Sequence, residues 1–312
     1  MELADDETIR AIVVADAPQG TAALFMELKE RRAGLLLIAL LPAEPPLVIQ
    51  AAADSVLDFD HVMRAYSTTL TAARLGRNLI VSLTMPGTSE DWRLNTRLAV
   101  LRAASADMGM TFETLAIAPD GLGRALTGLG IEAGIGIGTG TEAAIVVNDG
   151  RLASEALRIA DASGALFIEL DRPGNGYSGF TIDEMPSGGL VSVPTGGDPI
   201  RAMIDTARNV PGRPGLTLVW PGELAQLLEL GSLAYVKSIL DGKPASEANL
   251  AAAMNAVWPT GQWHASHFVD PRSGVRARNH MVVGSDPYLV GRSYLSSEAV
   301  NMPLRYRLAA GQ

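Results

Sequence analysis

Three of the four histidines lie between His264 and His280, and two of them sit with an acid in Trp263-His264-Ala265-Ser266-His267-Phe268-Val269-Asp270. Imidazole and carboxylate groups are ligands for zinc and similar ions, so His264, His267 and Asp270 are the candidate metal ligands of this chain. A turn with hydrogen-bonded histidines is the simpler reading of the same residues, and no metal is expected. Asp183-Glu184 and Asp198 could form acid–base pairs, but their Gly/Pro-rich surroundings read as solvated loops. Ser187-Gly188-Gly189 and Thr195-Gly196-Gly197-Asp198 could be nucleophile or phosphate loops, yet the chain has no G-x-S-x-G elbow. Gly134 to Gly140 alternates glycine with other residues and lacks the G-x-G-x-x-G spacing. Closer to that chemistry is the turn Ala15-Asp16-Ala17-Pro18-Gln19-Gly20-Thr21-Ala22, which follows an apolar run and opens a helical pattern. A dinucleotide turn uses three glycines for the tight bend and the close approach of pyrophosphate; this one keeps one.

The elements that must position these residues follow from periodicity. Ile9 to Val14 and Leu35 to Leu41 are short β-branched or apolar runs and read as buried strands. Between them, Thr21 to Arg32 has helical spacing, with Ala22, Phe25, Met26 and Leu28 on one side. Leu47 to Ala51 reads as a further strand, and Phe59 to Arg74 as an amphipathic helix. Asn78 to Leu83 is a strand, Trp92 to Met108 a helix, and Phe112 to Ala118 a strand closed by Pro119-Asp120-Gly121. Strands at Thr141 to Val147 and Gly164 to Leu170 enclose a helix from Leu152 to Ala160. Loops dominate from Pro173 to Pro221; helices from Glu223 and over Ser246 to Val257 follow, and the tail reads as short strands and turns. Alternating strands and helices with unbroken apolar strands predict an α/β fold, a Rossmann-like parallel sheet with helices on both faces. Two domains are expected, residues 1–172 and a C-terminal α+β extension over 173–312.

Composition sets outer limits. With 312 residues, 47% hydrophobic and 19% charged, the chain can bury a substantial core. Its longest apolar run, Gly34 to Leu41, is too short to cross a bilayer. The acidic start Met1 to Glu7 lacks a basic region and an apolar stretch, so no secretory signal is expected and the cytoplasm is the expected location. There is no cysteine, which excludes thiol chemistry, thiolate metal sites and disulfides. A net charge of −9 argues against a nucleic-acid footprint, and neither nucleic acid nor membrane is an expected partner.

Residues 9 to 122 show an ordered series of matches, extending to about 170. The turn A-D-A-P-Q-G-T-A stands where a T-G-x-x-x-G-x-G turn would, with Gly20 at the middle glycine and Asp16 and Ala22 replacing the others. Gln50-Ala51-Ala52-Ala53 stands at N-N-A-G, and Gly76 to Gly87 at the strand that carries a catalytic serine. Ala118-Pro119 stands at A-P-G, and Ser89-x-x-x-Arg93 at Y-x-x-x-K. In this order the chain resembles the short-chain dehydrogenase/reductase family, in a degenerate form. The resemblance implies NAD(P) as the cofactor if one is kept, Asp16, Gly20, Gln50, Ala51 and Pro119 at the cofactor, and Thr84, Ser89 and Arg93 at the serine, tyrosine and lysine positions. The family fits another strand and helix between the stretches corresponding to Gly20 and Gln50, and this chain reads as truncated there.

The replacements weigh against the family's chemistry. An unassisted serine hydroxyl is too weak an acid to replace tyrosine, and arginine keeps the charge of lysine but not its titratable amine. Asp16 places a carboxylate where pyrophosphate would approach. The expectation is a non-catalytic or assembly subunit in a homo- or hetero-oligomer, beside a related active partner. The alternative is an active oxidoreductase or other enzyme with its site between the sheet edge and the C-terminal half, using Tyr177, Tyr235, Lys237, His264 or His267. A conventional reductase would need Tyr66 or Tyr177 as its acid, and the chain has no Y-x-x-x-K.

Overall fold

The computed structural model describes residues 5–88, 91–131, 142–169, 217–219, 224–257, 263–270, 273–286, 288–290, 295–296 and 302–309. In chain order the first elements are β1 (Ala11–Val14), α1 (Thr21–Arg31), β2 (Leu36–Leu40), α2 (Pro46–Ala52), β3 (Ser55–Phe59) and α3 (His61–Arg74). Then come β4 (Leu79–Thr84), α4 (Trp92–Asp107), β5 (Thr111–Ala116), α5 (Leu122–Gly128), β6 (Ala143–Val147), α6 (Ala153–Ser163) and β7 (Leu166–Glu169). The remainder is β8 (Thr217–Val219), α7 (Leu224–Leu240), α8 (Glu247–Val257), β9 (Trp263–Val269), β10 (Arg276–Ser285), β11 (Tyr288–Val290), β12 (Leu295–Ser296) and α9 (Arg305–Ala309). These form two compact units, one of residues 1–60 and 225–285, the other of 61–224 and 286–312. The chain passes between them at Asp60–His61, Leu224–Ala225 and Ser285–Asp286.

The first unit holds a sheet ordered β1-β2-β3-β10-β9, with β1, β2, β3 and β10 parallel and β9 antiparallel to β10. Ala22, Phe25 and Leu28 of α1 and Ile49 and Ala52 of α2 pack with Leu37, Ala39 and Val56 of the sheet. Met26, expected on the same side of α1, is 57% exposed. Tyr235 of α7 is fully buried, its hydroxyl facing Met281 Sδ of β10 at 4.0 Å.

The second unit holds a sheet ordered β12-β11-β8-β7-β6-β4-β5. From β5 to β8 its strands are parallel; β11 and β12 add antiparallel pairs. Val81, Leu83, Ile145, Val147 and Phe167 on one face pack with Leu122 and Leu126 of α5 and Ala156, Leu157 and Ala160 of α6. α6 ends on Gly164 at φ 76, and the Gly164 amide donates to Ala160 O; this left-handed stop is one that glycine takes without a Cβ penalty.

The α/β class, with parallel sheets flanked by helices, is as the periodicity predicts. Two particulars differ. Leu47 to Ala51 is helix rather than strand, because Pro46 at the first helical position favours helix initiation and the segment lies beside α1, where Ile49 is buried. The strand lies just beyond it, over Ser55–Phe59, so a helix and a third strand follow β2 where the sequence reads as truncated. That strand is buried along its length, with Asp58 Oδ1 accepting from the Phe59 amide at 2.7 Å; a buried acid breaks the apolar run that announces a strand.

Candidate functional site

The turn before α1 is closed from within the protein. Glu44 is buried and accepts from the Gly20 amide at 3.2 Å through Oε1 and from the Ala22 amide at 2.8 Å through Oε2. Those amides open a helix, the place where a dinucleotide fold holds pyrophosphate. Here a carboxylate of the chain already satisfies them. Gly20 has φ 93, and Asp16, exposed on the same turn, has φ 44, a left-handed conformation uncommon outside glycine but tolerated by aspartate. Gln50 and Ala51 lie within α2, and the Gln50 amide meets His280 Nδ1 at 3.0 Å. Pro119 is exposed in a 3-10 turn after β5. Gly20 lies in the turn after β1 and Gln50 in α2, both in the first unit, while Thr84 ends β4 in the second.

The other sequence candidates lie on several elements. Thr84 ends β4, Arg93 lies in the first turn of α4 with its guanidinium 5.0 Å over the Trp92 ring, and Ser89 lies outside the described residues. Tyr177, Asp183, Glu184, Ser187, Thr195, Asp198 and Gly134 to Gly140 also lie outside them. His264 and His267 are both on β9, where three-residue spacing puts them on opposite faces of the strand. His267 faces Glu247 instead: its amide donates to Oε1 at 2.8 Å, and Arg276 Nη2 donates to the same oxygen at 2.6 Å. Asp270 follows the strand and accepts from Ser273 Oγ. Among the described residues no group of three His, Asp or Glu side chains is placed to hold a metal ion. Tyr235 is a poor acid, since burial pushes its phenol up to about 12. Lys237 is exposed and paired with Asp241. Tyr66 packs against Tyr306 with the rings tilted by 36° and their centroids 4.7 Å apart.

One place combines topology with an unmet polar group. In the second sheet the chain moves from β4 to β5 on one side, then returns across β4 to β6 on the other. Open α/β sheets bind ligands at such a reversal, outside the carboxyl ends of the two strands. The registers Leu79↔Ala143 through Leu83↔Val147 bring Thr84 and Asn148 to that edge together. Alternation places Ser82, Thr84 and Asn148 on the face opposite the core of α5 and α6. Asn148 is 6% exposed. Its Nδ2 donates to Ser82 Oγ at 2.8 Å and to Leu83 O at 3.4 Å, which fixes the amide's orientation because a carbonyl accepts only from the nitrogen. Its Oδ1 is buried and has no hydrogen-bond partner among the described residues.

The flanking loops are shaped by acids. After β4, Thr88 Oγ1 donates to Met85 O at 2.8 Å, Gly87 takes φ 83, and Asp91 Oδ1 caps α4 by accepting from the Arg93 and Leu94 amides at 2.9 and 3.3 Å. After β6, Asp149 Oδ1 accepts from the Arg151 amide at 3.0 Å, and the carboxylate holds the Arg151 guanidinium through Nε at 2.9 Å and Nη2 at 2.6 Å. Of these residues the sequence singled out only Thr84 and Arg93. The available signal for the others was Asn148-Asp149-Gly150, a polar triplet at the end of an apolar strand before a turn. Glu44 had none, since its partners lie 24 and 22 residues away.

Comparison with known proteins corrects the family. Residues 1–128 match the family described as Protein of unknown function (DUF3798). A second family, matched without a description, covers residues 229–308. Two proteins of Treponema pallidum (strain Nichols), each named only as uncharacterized, are 36% and 32% identical over 112 residues, which is 36% of this chain and 52% and 51% of theirs. The chain thus spans about half the length of the curated relatives it matches. Among solved structures, a protein from Clostridium difficile 630 described as a transcriptional regulator is 13% identical with a TM-score of 0.70, covering 92% of this chain and 82% of that one. That likeness shows a shared fold. A sugar ABC transporter structure from Actinomyces odontolyticus reaches 0.47 and an ABC transporter substrate-binding protein from Desulfitobacterium hafniense 0.43, scores too low to carry an argument.

The resemblance to short-chain dehydrogenases does not hold. The family match lies elsewhere, and the elements aligned to one dehydrogenase sheet fall in two sheets. The expectation of an oxidoreductase-like, non-catalytic subunit falls with it, as does that of an active oxidoreductase. Strand–helix alternation with a glycine turn is common to many α/β folds, so its order over 110 residues was not specific to one of them.

Proposed function

We propose that the protein binds a small polar solute reversibly at the edge where β4 and β6 end. The observation that carries this reading is the Asn148 carbonyl. It is buried and without a hydrogen-bond partner among the described residues, at the position in the second sheet where the order of the described strands reverses. A buried acceptor left unmet costs about 1–3 kcal/mol. A donor on a solute that enters this edge supplies the bond, and relief of that cost contributes to affinity. The fold shared with the Clostridium difficile protein supports an open α/β sheet with such an edge, and that protein's description as a regulator is compatible with a solute-responsive role. The reading is tested by thermal unfolding of the full chain against a library of small polar solutes. A saturable rise in Tm with at least one solute supports it; a flat response across the library overturns it.

A further inference from the structure

The two loops at the β4/β6 edge also constrain the ligand's charge. Helix N-termini attract anions because their first amides lack partners and carry partial positive charge. At this edge the Arg93 and Leu94 amides that open α4 already donate to Asp91, and the Arg151 amide already donates to Asp149. Each cap is itself a carboxylate. The cations of the same loops are engaged as well: Arg151 by both oxygens of Asp149, and Arg93 over the Trp92 ring. An arriving phosphate or carboxylate would therefore meet helix-opening amides that are already satisfied and, at Asn148, an acceptor where an anion needs a donor. The orientation of Asn148 then sets the polarity of recognition. Nδ2 is held by Ser82 and Leu83, so the side chain has an acceptor to offer and no donor to spare.

From this geometry we infer that the ligand is an uncharged solute that presents an O–H or N–H donor to Asn148 Oδ1, and that the site discriminates against the phosphate ester of the same solute. This rests on the solute-binding reading above and deepens it.

The test uses the full chain and matched pairs of probes: glucose with glucose 6-phosphate, ribose with ribose 5-phosphate, and adenosine with its 5′-monophosphate. Binding is measured by calorimetry for wild type, Asn148→Ala and Ser82→Ala. The expected result is that at least one neutral probe binds, that its phosphate ester binds about tenfold or more weakly, and that Asn148→Ala weakens the neutral probe by about tenfold, the worth of one buried hydrogen bond with its desolvation. Ser82→Ala removes one of the two acceptors that orient the amide but leaves Oδ1 in place, and is expected to weaken the neutral probe by about threefold, less than Asn148→Ala does. If Asn148→Ala does not fold, the side-chain amide signals of Asn148 in labelled wild-type protein give the same answer, shifting on addition of the neutral probe. Phosphate esters binding as tightly as their parents would overturn the inference while leaving solute binding intact. Neutral binding that neither Asn148→Ala nor the amide signals register would also overturn it. No binding by any of the six probes would overturn it too, while the wider solute library remains the separate test of the binding reading.

Discussion

At the scale of single residues, two buried side chains have consequences that solution experiments can read. Glu44 stands in for an anion at the start of α1, taking two backbone amides with one carboxylate. Charge-assisted bonds of this kind are about twice as strong as neutral ones. Glu44→Ala is expected to lower stability by about 1–2 kcal/mol, as loss of a helix cap does, seen as a lower denaturant midpoint with an unchanged slope. Because this carboxylate lies at the edge of the first sheet, solute affinity at the β4/β6 edge should not change with it. Tyr235 gives a pH test. Burial raises its phenol from the ordinary 10.0 to about 12, so the folded state favours the protonated form. That preference contributes fully below pH 10 and is lost as pH rises through about 12. The contribution is at most about 2–3 kcal/mol. Absorbance titration should show one tyrosine that ionises only as the protein unfolds, and Tyr235→Phe should flatten the loss of stability over that window. An unaltered alkaline profile in the variant would contradict this assignment.

At the scale of elements, stops and docks decide stability. The left-handed C-terminal residue of α6 is Gly164, with open space around a would-be Cβ, so the cost of Gly164→Ala is backbone strain rather than a clash. About 1 kcal/mol is expected, measurable by chemical denaturation. The short α9 is held by Tyr306, whose hydroxyl donates to Asp107 of α4 at 2.8 Å and whose ring packs, tilted, against Tyr66 of α3. Arg305 adds an ion pair to the same Asp107 at 3.1 Å, largely exposed and therefore worth little. Tyr306→Phe removes the hydroxyl but keeps the ring, and should cost about 0.5–1.5 kcal/mol. Hydrogen exchange would show the loss confined to the ends of α9 and α4, whereas a global change would mean that the hydroxyl supports more than this dock.

At the scale of the whole molecule, the chain builds two α/β units, and the N-terminal sheet is finished by strands drawn from the end of the sequence. β10 pairs in parallel with β3 through His280↔Val56 to Val283↔Phe59, more than 220 residues apart. Such pairing is slow to find because loop closure must precede its reward. Removal of residues after 262 is therefore expected to leave β3 an open edge and the N-terminal unit prone to aggregation. Light scattering of the truncated chain checks this; a monodisperse, cooperatively unfolding fragment would contradict it. For the intact protein, a solute at one hundred times its Kd should add about 2.7 kcal/mol to stability, enough for a clear shift in Tm.

By itself the sequence determined the local grammar. Apolar runs such as Leu36 to Leu40 and Ala143 to Val147 announce buried strands, and the spacing of Ala22, Phe25 and Leu28 announces a helix, because burial and backbone period are local properties. From these the α/β class follows. Thr84 was picked out only through the dehydrogenase resemblance, at its serine position. What it could not determine was partnership. Glu44 reaches Gly20 across 24 residues, and Asn148 reaches Ser82 across 66. Whether β1 and β4 share a sheet depends on which distant strands compete for their edges, and β10 settles that for the first sheet. The turn before α1, with one glycine and Asp16, already reads as a poor anion site, and only the tertiary structure shows its amides taken by Glu44, a carboxylate of the same chain.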